Sequence, residues 1–528
     1  MGLNPFLGRR IDSMLSLLFA QIVIATCAIA APPEGSPWAE IRVVDETTGR
    51  GVPLVELETV NHLRFVTDNS GRVAFLEPGL MDSEVYFSVQ SHGYEREKDG
   101  FGFAGARITP RAGTVSEIRV RRTMPAERMC RLTGEGRSRD SILLGYDVPQ
   151  RDAENLGHVA GQDSVQAAIY RDRVYWIWGD TSRMEYPLGL FRVAGATTPI
   201  PNQADIANWS ERGIPYNYFI DSDTGFTRAM MPLPERAQGV IWIFGLMVMR
   251  DESGVERLFG HYSRRKGLAD ELEHGIARFD DDTERFVVAK EFPLEDKWRR
   301  PTGNPILWEA DGRTWWLFGS PTPNVRVPAT IDAVLDPQQY EAFTCADPDT
   351  DKVVPIPRLN ESGEPEWRWQ TELPPTESAM EGKWIKAGLY KASEARFAPM
   401  NFGKGGGPIT LHNGSVRWNE HRQRWILLAG QLGGDASFLG EVWYAEAQAP
   451  TGPFRRAVKV ATHDKQTFYN VVHHPFLDSE GGRVIYFEGT YTNEFSGNPH
   501  RTPRYNYNQI LYRLNLDAPE LAAARESR

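Results

Sequence analysis

Four carboxylates are candidates for chemistry. They are Asp163 in Gly161-Gln162-Asp163-Ser164, Asp180 at the end of Trp176-Ile177-Trp178-Gly179-Asp180, Glu441 between Leu439-Gly440 and Val442-Trp443-Tyr444, and Glu488 in Phe487-Glu488-Gly489. A charged group embedded in a Trp- and Gly-rich strand must face a cleft, pair with a base or bind an ion. The chemistry that suits such a set is cleavage of a glycosidic bond. One carboxyl group protonates the leaving oxygen while another activates water or attacks carbon, and their environments hold their pKa values apart. Asp163 and Asp180 form the first pair, and Glu441 and Glu488 are the next candidates for the acid.

A second group of residues suits recognition of a sugar. His412 opens one polar segment, and His473-His474 precedes Pro475-Phe476 in another. Strand alternation sends His473 and His474 to opposite faces, so at most one of them enters a shared site. Convergence of His412 and His474 with Asp163 would suit a divalent ion, calcium or another, or a polarised hydroxyl. Their dispersed spacing is no metal motif, and the two-carboxylate chemistry requires no cofactor. Tyr491, Asn493 and Arg504 add an aromatic face, an amide and a guanidinium of the kind that binds carbohydrate. The same residues support a different chemistry, elimination from a uronate-containing glycan. There a His or Tyr, from His473, His474 and Tyr491, abstracts a proton beside the uronate carboxylate while Arg504 neutralises the developing charge. A third class is a noncatalytic carbohydrate- or protein-binding platform.

These residues need a scaffold that brings distant segments together, and a recurring strand supplies one. Trp176-Ile177-Trp178-Gly179, Trp242-Ile243-Phe244-Gly245, Trp315-Trp316-Leu317-Phe318-Gly319, Trp425-Ile426-Leu427-Leu428-Ala429-Gly430 and Ile485-Tyr486-Phe487-Glu488-Gly489 are five versions of one pattern. Their spacing leaves room for a four-stranded sheet per copy, which predicts five blades over residues 130–520. Each copy follows a segment that starts polar: Asp163 to Ile169, Thr227 to Met230, Gly303 to Leu307, Gly414 to Trp418 and Tyr469 to Phe476. In a propeller the inner strands converge on the axis, so these starts face one another. The longest gap, between Gly319 and Gly430, carries a Pro-rich charged stretch from Asp347 to Pro375 that reads as an exposed loop.

The region from Arg131 to Asn515 resembles the exported five-bladed β-propeller glycoside hydrolases and related carbohydrate-active proteins. The resemblance implies inward carboxylates at the starts of inner strands: a general base, an orienting carboxylate and a general acid. Asp163 matches the base position, Asp221 and Asp223 match the orienting position only loosely, and Gly303-Asn304-Pro305 lacks the Glu of the acid position. Ahead of this region, residues 38–122 alternate in short runs such as Ile41-Arg42-Val43-Val44 and Tyr86-Phe87-Ser88-Val89, divided by Gly, Asn and Asp turns. They resemble a transthyretin-like or carboxypeptidase-regulatory-like β-sandwich in an accessory role.

The first 31 residues read as a signal peptide: Arg9-Arg10, an apolar run from Met14, and a small-x-small end at Ala28-Ile29-Ala30. A secreted or periplasmic protein with no stable membrane span after cleavage follows. Beyond Cys27 only Cys130 and Cys345 remain, enough for one disulfide or two buried thiols. The net charge of −11 gives no support to nucleic-acid binding, which leaves carbohydrate as the expected partner and oligomerisation open. Fifteen Trp, 48 Gly and 36 Pro favour an all-β chain of aromatic strands and tight turns.

Overall fold

The computed structural model describes residues 35–148, 157–185, 189–347, 355–402 and 406–525. The segment read as a signal peptide lies outside the described residues. Strands dominate the rest, as the density of β-branched and aromatic residues between Gly and Asn turns requires.

Two four-stranded sheets form the N-terminal sandwich. One carries Ala39–Asp45 between Arg72–Phe75 and Val115–Arg122, with Tyr94–Glu95 at its edge; the pairing of Ala39–Asp45 with Val115–Arg122 is parallel. The other runs Arg64–Val66, Glu56–Thr59, Val85–Gln90 and Gly105–Ile108. Alternation turns Ile41, Val43, Leu57, Phe75, Phe87 and Ile118 into one core between the sheets.

The larger part contains five sheets of four or five strands among the described residues. The first begins with Gln166–Tyr170 and Arg173–Trp178, the second with Val240–Arg250 and Glu256–Lys266, and the third with Ile306–Ala310 and Arg313–Phe318. The fourth begins with Leu411–Asn419 and Arg424–Gln431, and the fifth with Thr467–His473 and Val484–Thr492. The tight hairpins read from sequence form where residues tolerate left-handed backbone: Arg171 and Asp172 have φ of 49° and 60°, and Asp311 and Gly312 have φ of 53° and 69°.

Three features differ from the sequence reading. Thr227 to Met230 makes an isolated bridge at Thr227 and no strand, so the Trp242 copy is the first strand of its sheet while the other four copies are second strands. The stretch before Pro375 is not all loop, because Arg368–Gln370 pairs with Glu341–Thr344 as a fifth strand. Its Trp369 packs on Phe343 and under the Arg326 guanidinium, which explains why a charged, Pro-rich insertion adheres to the sheet. Finally, Glu127–Arg131, which precedes the first sheet in the chain, pairs with Asn508–Asn515 and completes the fifth.

The repeated aromatic strands fill the seams between sheets. Ile177 and Tyr170 meet Ile243 and Leu258, Met247 and Phe259 meet Trp316 and Phe318, and Trp315 and Leu317 meet Trp425. Ile426 and Leu428 meet Ile485 and Phe487, and Trp176 packs edge-on against His474 and Phe476, joining the fifth sheet to the first. Cys130 and Cys345 are both free and buried.

The sandwich is tied to the rest by buried polar groups that bond across to it. The Asn69 amide accepts from the Arg131 N–H (2.8 Å) and donates to the Arg131 carbonyl (2.9 Å), closing the free edge of the added strand. Arg128 donates to the carbonyls of Pro53 and His92, and the Tyr505 hydroxyl donates to the Thr67 carbonyl. Asn69→Ala strands two buried backbone groups and is expected to cost about 2 kcal/mol. The urea midpoint of the purified variant checks this, with Asn69→Asp, which keeps only the acceptor, falling between it and the parent.

Candidate functional site

The first strands of the second, fourth and fifth sheets carry register shifts, between Phe244 and Met247, Leu411 and Gly414, and Tyr469 and Val472. Such bulges turn side chains out of the ladder and bend the strand. Here they turn them into one cavity of about 560 Å³, a size suited to a small ligand. Trp242, His412 and Tyr469 line it from the second, fourth and fifth sheets, and Asp163 and Asn304 from the segments just before the first strands of the first and third.

Beneath the cavity, polar groups at the strand starts bond to one another from sheet to sheet. The Gly245 N–H donates to Gln166 Oε1 (3.3 Å) and to the Gly303 carbonyl (3.2 Å). Ser320 Oγ donates to Asn413 Oδ1 (3.2 Å) and accepts the Gly414 N–H (3.3 Å). Asn413 Nδ2 donates to Asn470 Oδ1, and Asn470 Nδ2 donates to Ser164 Oγ, which returns to the first sheet. Ser164 and Asn470 adopt φ of 55° and 54°, left-handed backbone that is uncommon outside glycine and collects at functional sites.

Asp163 and Asp180 sit opposite each other in one hairpin, in the gap between two ladders. On one side Gln162 pairs with Thr181, and on the other Gln166 pairs with Ile177. The Asp163 N–H donates to the Asp180 carbonyl (3.2 Å), and the Asp180 N–H donates to Asp163 Oδ1 (2.9 Å). Gly179 allows this approach, since a Cβ there would lie 2.4 Å from Asp163 Oδ1. Tyr469 donates to Asp163 Oδ2 at 2.8 Å, and the Tyr507 hydroxyl also bonds to this carboxylate. Burial, followed by the Asp163 charge, raises both phenols far above their ordinary pKa, so they remain donors.

Burial raises both carboxyl groups, but their partners divide them. Asp163 receives four donors, the Tyr469, Tyr507 and Ser164 hydroxyls and the Asp180 N–H, which favour its charged form. Asp180 receives one, the Trp242 indole N–H on Oδ1 at 2.9 Å, and is pushed up to about 7 by burial and then by the Asp163 charge. The pair therefore holds one proton in mildly acidic solution, on Asp180.

The same cavity is lined by His261, Ser263, Arg265, Glu271 and Arg300. Arg300 Nη1 contacts both Glu271 oxygens, at 2.9 and 3.1 Å, and Ser263 Oγ donates to Oε1. Burial would raise the Glu271 carboxyl, but the Ser263 hydroxyl and then the Arg300 and Arg265 charges bring it below its ordinary value. His261 and His412 are both lowered, first by burial, and are neutral. Among the described residues no group of three or more His, Cys, Asp or Glu side chains is arranged to hold a metal ion.

The cavity gathers Asp163, Asp180 and His412 from the residues singled out in the sequence. The others lie elsewhere, each with a partner. Glu441 is buried against Lys459 Nζ (2.9 Å), and Glu488 against His474 Nε2 (2.7 Å). His473 bonds to Asp478 (2.8 Å), while Asn493 bonds within its own turn to the Asn498 carbonyl. Tyr491 faces the sandwich, its OH bonding to His92 Nε2 (2.9 Å), whereas Arg504 pairs with Asp140 (2.6 Å) in the short helix Arg139–Leu143 that follows the sandwich in the chain. Asp221 caps a turn by accepting the N–H groups of Asp223 and Thr224. The residues that sequence reasoning missed are Tyr469, Tyr507, Glu271, Arg265 and Arg300. Polar strand starts pointed toward Tyr469, but nothing local marks Arg300 or Glu271, which meet only when the second sheet folds against the loop before the third.

No family profile matches the chain, and no curated protein matches it in sequence. Solved structures similar to it include an exo-1,5-alpha-L-arabinanase from a bovine ruminal metagenomic library, at 10% identity and a TM-score of 0.32 over 69% of this chain and 96% of that one. A family 43 glycoside hydrolase from Bacillus licheniformis gives 10% identity and 0.32 over 67% and 70%. An endo-1,5-alpha-L-arabinanase from Thermotoga petrophila gives 12% and 0.32 over 69% and 73%. At these values the likeness assigns neither a substrate nor a catalytic residue.

The proton on Asp180 has a measurable consequence. An aspartate in the unfolded chain ionises near 3.8, whereas Asp180 in the fold holds its proton to about 7. Between those limits the unfolded state binds fewer protons, so this group lowers stability as pH rises from about 4 to 7, and the loss is complete above that. Asp180→Asn is expected to melt a few degrees above the parent at pH 8, with the difference shrinking toward pH 4, as differential scanning calorimetry across pH would show.

Proposed function

We propose that this protein hydrolyses glycosidic bonds in a poly- or oligosaccharide, with Asp180 as the acid and Asp163 as the base or nucleophile. The observation that supports this reading is the pair of buried carboxyl groups, Asp163 and Asp180, joined through the Asp180 N–H and lining one cavity. Asp180 Oδ1 accepts the Trp242 indole N–H, which leaves Oδ2 to carry the proton to the leaving glycosidic oxygen. Asp163, held as a carboxylate by Tyr469 and Tyr507, takes a proton from the attacking water or bonds directly to the anomeric carbon. Phe495 and Leu268 on the cavity wall offer apolar surface for the faces of sugar rings.

The architecture that belongs to this reading is a five-bladed propeller, its last blade completed by Glu127–Arg131, with residues 38–122 as an accessory sandwich. Export through a cleaved segment at 1–31 belongs to it as well.

The test is release of reducing ends from neutral and uronate-bearing glycans, read together with absorbance from unsaturated sugars. New reducing ends without that absorbance are expected; the absorbance would assign elimination, and no product would assign binding alone. Asp163→Asn and Asp180→Asn should each lower turnover by about 100-fold or more. An aryl glycoside whose leaving group needs no proton should restore much of the activity of Asp180→Asn and none of that of Asp163→Asn. Turnover should decline above about pH 7, where Asp180 loses its proton.

A further inference from the structure

One part of the cavity lining sets two cations against a single adjacent carboxylate. Two guanidinium groups, Arg265 and Arg300, share Glu271: Arg300 binds both its oxygens, whereas Arg265 Nη1 stands 3.9 Å from Oε1. Arg265 Nη2 donates to the Ala269 carbonyl (3.2 Å), and its buried Nε has no hydrogen-bond partner among the described residues. His261, beside them, is neutral. A buried guanidinium N–H without an acceptor is costly, and charge-assisted bonds from Arg suit a planar acid group.

The Trp242 indole connects this corner to the reacting pair. Its N–H bonds to Asp180, and the Arg265 guanidinium carbon lies 5.9 Å from its ring centre. Asp180 and Arg265 are thus both neighbours of the Trp242 ring, close enough together for one ligand to meet both. Within this corner two guanidinium groups meet one carboxylate, an excess of one positive charge that matches a singly charged group, while Asp163 and Glu494 supply negative charge elsewhere in the cavity lining.

We infer that Arg265 and Arg300 form a subsite for a uronate carboxylate, making the preferred ligand an acidic glycan. The position of that sugar at the cleaved bond rests on the hydrolytic reading; the acid selectivity itself does not.

The test is calorimetric titration of the full-length Asp163→Asn protein with trimers of glucuronate, galacturonate and mannuronate, each beside its carboxyl-reduced counterpart. At least one acidic trimer is expected to bind about tenfold more tightly than its reduced form, with the ratio shrinking as salt screens the charges. Arg265→Gln or Arg300→Gln in the same background should bring the ratio toward one, while Arg300→Lys should keep part of it. Because each ratio compares two ligands on one protein, a general loss of stability does not imitate the effect, and melting curves identify any variant that fails to fold. Equal affinity within all three pairs, or a ratio that survives both Gln substitutions, would overturn the inference. Cleavage of neutral glycans with no acid preference leaves hydrolysis standing and removes the subsite. Acid preference without cleavage leaves the subsite standing and removes hydrolysis.

Discussion

The hydrogen bonds that join Gln166, Gly245, Gly303, Ser320, Asn413, Asn470 and Ser164 set the conditions for everything above them. Inner strands that meet around a cavity end in backbone and amide groups with no ladder to join. Left unpaired at the cavity floor, each would carry a desolvation cost of about 1–3 kcal/mol. Bonding them to the neighbouring sheet satisfies them and also fixes the height at which each strand delivers its side chains. The left-handed backbone of Ser164 and Asn470 is the local cost of that arrangement.

The same geometry creates an uneven field. Asp163 and Asp180 are adjacent because they occupy the gap between two ladders of one hairpin, and proximity makes double ionisation unfavourable. Another part of the cavity lining carries Arg265 and Arg300 around Glu271. Trp242 stands between the two, bonded to Asp180 and facing Arg265. Acid chemistry and cation chemistry thus share one cavity without neutralising each other, because an aromatic ring and a fixed backbone keep them apart.

The N-terminal sandwich takes up polar residues that look like ligands when read in order along the chain. Tyr491 and Arg504 lie in a segment rich in amides and aromatics, yet they bond to His92 of the sandwich and to Asp140 in the helix that follows it. Asn69 covers the strand Glu127–Arg131 that completes the fifth sheet. The sandwich is thereby coupled to the cavity through a shared strand, although none of its residues lines the cavity.

Much of this was readable from residue order. Alternation and turn residues located the sandwich strands and four of the five first strands, since period-two burial is a local property. The Trp-rich copies marked the seams, and Asp163 and Asp180 stood out because a carboxylate beside Gly179 and two tryptophans needs a reason. What sequence could not decide was pairing over distance. Glu441 and Glu488 drew the same attention as Asp180, but in the fold Lys459 pairs with one and His474 bonds to the other. Glu271 and Arg300 have no distinctive local setting, and only the packing of the second sheet on the following loop brings them beside Asp163 and Asp180. Local sequence determines which residues can be strands and which charges are out of place; the tertiary structure determines which of those charges find a partner and which are left facing a cavity.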